Sequence, residues 1–166
     1  IWEASLLTVG YTEVVAEWGL VPVRFAADPI AQLPNVLSSM FMHDPSSWWH
    51  LGGNMLYLWI FGDNVEDALG RWRFLAFYLL CGVGAALVQV FINTSSVIPM
   101  VGASGAIAGV LAAYGSLHPR SPVMVLNPIP LFWLFWPFLY LPAWLVILVF
   151  FILNLVNGLA TMGVDS

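Results

Sequence analysis

Apolar residues in this chain come in long, nearly unbroken blocks separated by short polar clusters. The main blocks cover residues 48–65, 74–92, 102–117 and 131–155. A segment apolar around its whole circumference belongs in a protein core or in lipid. Crossing a hydrocarbon core roughly 30 Å thick takes about 20 such residues. The block 74–92 is long enough to span. The block 131–155 is strongly aromatic and is expected to kink near Pro137 and Pro142. The block 48–65 closes on the polar cluster "GDNVEDALGRWR". Residues 1–15 are weakly apolar, with Glu3 and Glu13 interrupting them, and read as the end of a helix that begins upstream. Residues 17–42 are the most polar part and hold Arg24, Asp28, Pro29, Pro34 and Asn35. They read as a loop with short helices lying at a membrane surface, where Trp18 and Phe25 suit the interface. The pattern predicts an all-α polytopic membrane protein forming a single domain over 1–166, with four transmembrane helices in these blocks.

Composition places the helices in lipid. Hydrophobic residues make up 61% and charged residues 8% of the chain, where soluble domains carry about 25% charged residues. Lysine is absent, and the four cations are Arg24, Arg71, Arg73 and Arg120. With a net charge of −5, nucleic-acid binding is excluded, since it needs clustered cations. Cys81 is the sole cysteine, so no disulfide or multi-cysteine metal site forms within the chain, and it reads as a small buried hydrophobe. Arg71 and Arg73 share one inter-block loop and Arg120 lies two blocks later, while the loop "NTSSVIP" between them is uncharged. The positive-inside rule puts the arginine loops in the cytoplasm and Thr94–Ser96 outside, with Arg24 an exception that a long surface loop tolerates. The chain begins at Ile1 and stops at Ser166 just after an apolar run, and both ends read as cut.

The block 102–117 is short. At about 1.5 Å per residue it measures roughly 24 Å, a turn or so less than the hydrocarbon core. Pro119 and Arg120 mark its cytoplasmic end, so the shortfall falls at the outer end, at Gly102 and Ser104. Non-helical backbone at that depth must line protein or a water-filled cavity, which sets Ser104 at the foot of a polar pocket. Gly105 and Gly109 make a small-xxx-small face for close helix packing. Unpartnered N–H groups at the helix start and the positive end of its dipole favour an anion formed beside Ser104. On the block 48–65, His50 and Asn54 are four residues apart and share a face. They are donors of the kind that hold an oxyanion, or else a polar pair joining helices.

The segments "HDPSSWWHLGGN", "IFGDNVEDALGRWRF" and the G-x-S-G of Gly102–Gly105, in this order and separation, resemble the rhomboid family of intramembrane serine proteases, bacterial type. The resemblance implies a six-helix core with a Ser–His dyad, Ser104 as nucleophile, and His50 and Asn54 as oxyanion stabilisers. It makes 17–42 the membrane-embedded first loop and 131–155 the mobile fifth helix. The start of helix one and all of helix six would then be missing from the chain. His43 stands further from His50 than the family pattern has it and reads as a loop residue. The family's base, a helix-six histidine, has no counterpart. His118 lies 14 residues past Ser104, about 21 Å along the helix, too far to serve. The expectation is therefore a helix after Ser166 that carries the base and packs on the Gly105/Gly109 face, and a fragment inactive without it. The resemblance implies cleavage of transmembrane or juxtamembrane segments of membrane-protein substrates in the lipid bilayer, with no metal or organic cofactor, in a bacterial plasma membrane. A catalytically inactive client-binding relative and a structural subunit of a membrane complex are the alternatives.

Overall fold

The computed structural model describes residues 13–43, 48–127, 129, 131 and 134–162. The chain divides into two compact units, Ile1–Val110 and Leu111–Ser166. Most described residues are helical. In the first unit, α1 covers 13–18, followed by α2 (Pro22–Ala27), α3 (Leu33–Ser38) with a 3₁₀ turn at Ser39–Phe41, α4 (Trp48–Leu69) and α5 (Arg71–Ile92). The boundary between the units falls inside α6 (Ser104–Leu117). Prolines in the first turns of α2 and α3 preset the helical φ where no amide partner is needed. A single residue, Gly70 at φ 81°, separates α4 from α5, a left-handed conformation that glycine adopts without steric cost.

The polar residues of 17–42 have a structural use. A helix end leaves carbonyls without intrahelical partners, and here each carbonyl at the end of α1 finds one. Gly19 N–H donates to Val15 O at 2.9 Å, and Arg24 Nη1 donates to Ala16 O at 2.6 Å. Asn35 Nδ2 donates to Glu17 O at 2.7 Å and to Gly19 O at 3.1 Å. Ser38 Oγ donates to Trp18 O at 2.6 Å. Asn35 is buried, so these bonds offset a desolvation that would otherwise be costly. The loop is tied further to the segment after α5. Leu20 and Met100 exchange two backbone bonds, and Val23 N–H donates to Ser96 O at 3.1 Å. Leu20 and Val36 pack with Ala86 and Val90 of α5.

Helix α5 is the one described helix long and apolar enough to cross a membrane, with 22 residues of which only 22% of the apolar window is buried. A core helix of a soluble protein would be mostly covered, so the exposed apolar sides of α5 fit a lipid surround. Small residues govern how α5 packs. A Cβ at Gly82 would collide with Met40, one at Gly105 with Ala85, and one at Gly109 with the Cys81 side chain. The Gly105/Gly109 face is therefore occupied by α5. This corrects the expectation that a later helix packs there, because the space beside these glycines is already filled by Ala85 and Cys81.

The second unit differs from the sequence reading at residues 131–155. Instead of one kinked helix there is a hairpin of β1 (Pro122–Leu126) and β2 (Phe138–Pro142), followed by α7 (Ala143–Met162). The strands are antiparallel, pairing Pro122 with Pro142 and Leu126 with Phe138. Proline cannot donate an amide and fits the end of a ladder rather than a helix interior. Asn127 closes the hairpin: its N–H donates to Pro137 O at 2.8 Å, its Nδ2 to Trp136 O at 3.1 Å, and its Oδ1 accepts from Ile129 N–H at 3.1 Å. The first amides of α7 are met by loop carbonyls, Ala143 N–H by Ser121 O at 2.9 Å and Trp144 N–H by Pro119 O at 3.1 Å.

Two stability predictions come from this packing. Gly109→Ala should destabilise the protein in detergent by about 1–3 kcal/mol, the usual cost of overpacking, and Cys81→Gly in the same molecule should recover part of it. Asn35→Ala, which leaves the Glu17 and Gly19 carbonyls without their side-chain donor, should cost about 1–3 kcal/mol. Asn35→Asp should do no better, since a carboxylate has no N–H to donate. Thermal unfolding in micelles reads both.

Candidate functional site

The site grows from one turn of α4. His50 lies in its first turn and Asn54 in the next, on the same side of the helix. Asn54 is 5% exposed, and a buried carboxamide needs partners. One is His43, whose Nε2 lies 3.0 Å from Asn54 Nδ2. The His43 ring also meets His50 edge-on, with centroids 5.6 Å apart and planes at 62°. Burial, and then the neighbouring His50, hold the His43 pKa below its usual value, while a hydrogen bond to the Phe41 backbone works the other way. In the tautomer protonated at Nδ1, the neutral ring keeps a lone pair on Nε2 that accepts from the carboxamide Nδ2.

The start of α6 meets this cluster through Gly102. Its N–H donates to Ser39 O at 2.8 Å, and its φ is 123°, a conformation side-chain-bearing residues rarely adopt. A Cβ there would lie 2.9 Å from His50 Cε1 and 3.2 Å from His50 Nε2. Glycine is thus needed twice, for its backbone and for the imidazole packed against it. Ala103 O accepts from Ile107 N–H at 3.0 Å, which makes Ala103 the residue that caps the helix. The amides of Ser104, Gly105 and Ala106 fall in the first turn, where the helix supplies no acceptors. Ser104, the first helical residue, is partly exposed.

The predicted residues therefore gather in the first unit. Ser104 stands two residues past the glycine that His50 packs on, and Asn54 stands one turn from His50. His43 is a loop residue, as its spacing suggested, and the loop brings its ring to Asn54 and His50. The signal in the sequence was a second histidine in the same stretch, seven residues before His50. His118 is exposed after the end of α6 and meets the Tyr114 ring at a tilt of 54°, with centroids 5.2 Å apart. Among the described residues no cluster of His, Cys, Asp and Glu could hold a metal ion. A cleft of about 450 Å³ lined by Leu58, Trp59, Asp63, Glu66 and Phe74 contains none of the site residues.

Comparison with known proteins follows the same motifs. The Rhomboid domain family matches residues 31–166. The chain is 32% identical over 108 residues to Rhomboid protein 1, mitochondrial, of Saccharomyces cerevisiae, covering 62% of this chain and 31% of that protein. It is 39% identical over 111 residues to Presenilin-associated rhomboid-like protein A, mitochondrial, of Danio rerio, covering 63% and 28%. It is 38% identical over 76 residues to Rhomboid-like protein 11, chloroplastic, of Arabidopsis thaliana, covering 46% and 26%. The chain thus spans less than a third of the length of these relatives. No solved structure matches it. The expectation of a bacterial-type protein in a bacterial plasma membrane is overturned, since these relatives are mitochondrial and chloroplastic proteins. A family match over residues 31–166, more than half of the sequence, establishes that this chain belongs to the rhomboid family.

Proposed function

We propose that this chain is the greater part of the catalytic core of an intramembrane serine endopeptidase that cleaves transmembrane or juxtamembrane segments of membrane proteins. The observation that carries the reading is the packing of His50 on Gly102, which sets an imidazole donor beside the start of the helix that bears Ser104. In this reading Ser104 Oγ attacks the scissile carbonyl carbon and its proton passes to a histidine supplied by residues beyond 166, as in the family's dyad. The resulting oxyanion rests on the Ser104 backbone N–H, His50 and the Asn54 carboxamide. Collapse of the tetrahedral intermediate breaks the C–N bond, and the histidine returns its proton to the leaving amine. Water then attacks the acyl-enzyme with the same histidine as base. The site uses no metal or organic cofactor.

The glycines beside Ser104 support the reading. Gly102 gives His50 its place, and Gly105 brings α5 against the first turn of α6. A serine used only for packing would need neither a histidine against its helix start nor a buried carboxamide on the neighbouring turn.

Three outcomes follow for the complete protein in detergent. Ser104→Ala should abolish cleavage of a membrane-protein substrate and labelling by a fluorophosphonate probe without loss of folding. Cleavage at the wild-type rate would rule out Ser104 as nucleophile, and a wild-type protein that neither cleaves nor labels would favour a client-binding role. His50→Ala or Asn54→Ala should each lower kcat by about 10²–10³-fold, the usual effect of removing one oxyanion donor. His118→Ala should leave kcat within about twofold, since a single exposed side chain away from the reacting groups seldom matters more.

A further inference from the structure

We propose that His43 is a positioning residue, which fixes the Asn54 carboxamide with its N–H side available to an anion at Ser104. The inference rests on the reading of Asn54 as an oxyanion donor. A carboxamide in a buried site has two orientations that exchange Oδ1 and Nδ2, nearly equal in shape and opposite in chemistry. Only the orientation that points Nδ2 towards the site offers a donor. His43 Nε2 lies 3.0 Å from Asn54 Nδ2, and a ring nitrogen with a free lone pair accepts from that amine alone. Turning the amide over would set Oδ1 against the same lone pair, acceptor against acceptor. One hydrogen of Nδ2 is held by His43, and the second remains for the substrate.

The ring is itself held in place. It bonds the Phe41 backbone and meets the His50 ring edge-on, so one contact network orients both proposed donors. Burial and then the proximity of His50 lower the His43 pKa against the Phe41 hydrogen bond, and this favours the neutral ring. A protonated ring would donate from Nε2 and favour the wrong amide orientation. Asn54 is 5% exposed, and a buried carboxamide depends on a protein partner such as His43 for its orientation.

The test uses the complete protein and a double-mutant cycle on kcat and KM for a fluorogenic membrane substrate. His43→Ala should lower kcat by between about 10- and 10²-fold, the range in which small misplacement of a reacting-site group acts, with KM unchanged. His43→Gln should restore most of the rate, because its Oε1 also accepts from Nδ2. In the Asn54→Ala background His43→Ala should cost nothing more. Losses that multiply, or a His43→Gln enzyme as slow as His43→Ala, would overturn the proposal. If Asn54→Ala itself leaves kcat unchanged, the oxyanion reading fails and the proposal fails with it. An activity-independent readout separates the two. The side-chain amide resonances of Asn54, assigned by their loss in Asn54→Ala, should shift in His43→Ala and stay near wild type in His43→Gln. Resonances that do not move in His43→Ala would refute the positioning role even in a protein that cleaves nothing.

Discussion

The structure of the site depends on the absence of one methyl group. At Gly102 the backbone takes a φ of 123°, and the His50 ring approaches to 2.9 Å from where a Cβ would be. Any other residue would have to relax the backbone and push the imidazole away from the start of α6. The same glycine donates its N–H to Ser39 O, so one residue joins the segment before α6 to the 3₁₀ turn and to α4. Ser104 follows two residues later as the first residue of its helix.

A second requirement is that polar groups in apolar surroundings be paired. The chain meets it with few residues. Asn35, Ser38 and Arg24 take the carbonyls at the end of α1, Asn127 closes the hairpin, and Asn54 meets His43. Each is a side chain able to donate N–H or O–H, set where the helix or strand leaves a backbone group or a buried amide unmatched. The exposed Arg24 has a local role, since its guanidinium donates to a backbone carbonyl at the end of α1.

Much of the helical architecture was legible because apolar runs and their stops carry it. The run 74–92 lies within α5, and Gly102, Ser104 and Pro119 bracket α6. The aromatic run 131–155 was not legible. Continuous apolar sequence has the same appearance in a helix and in a strand covered on both sides, and the partner strand 122–126 stands upstream, with Asn127 and Pro137 between the pair. The pairing of Pro122 with Pro142 is a property of two segments at once, and no single window displays it.

The sequence by itself determined which chemistry was available: a serine between small residues at a helix start, a histidine and an asparagine one turn apart, and glycines spaced for close packing. Those properties are local, and helical periodicity is enough to read them. Tertiary structure alone decided who meets whom. It gave the Gly105/Gly109 face to α5, because Ala85 and Cys81 are the side chains that fill it. It also brought His43 back against Asn54, although spacing along the chain argued against the contact. Separation in sequence constrains a loop residue weakly, whereas a buried carboxamide needs an acceptor wherever the chain can supply one.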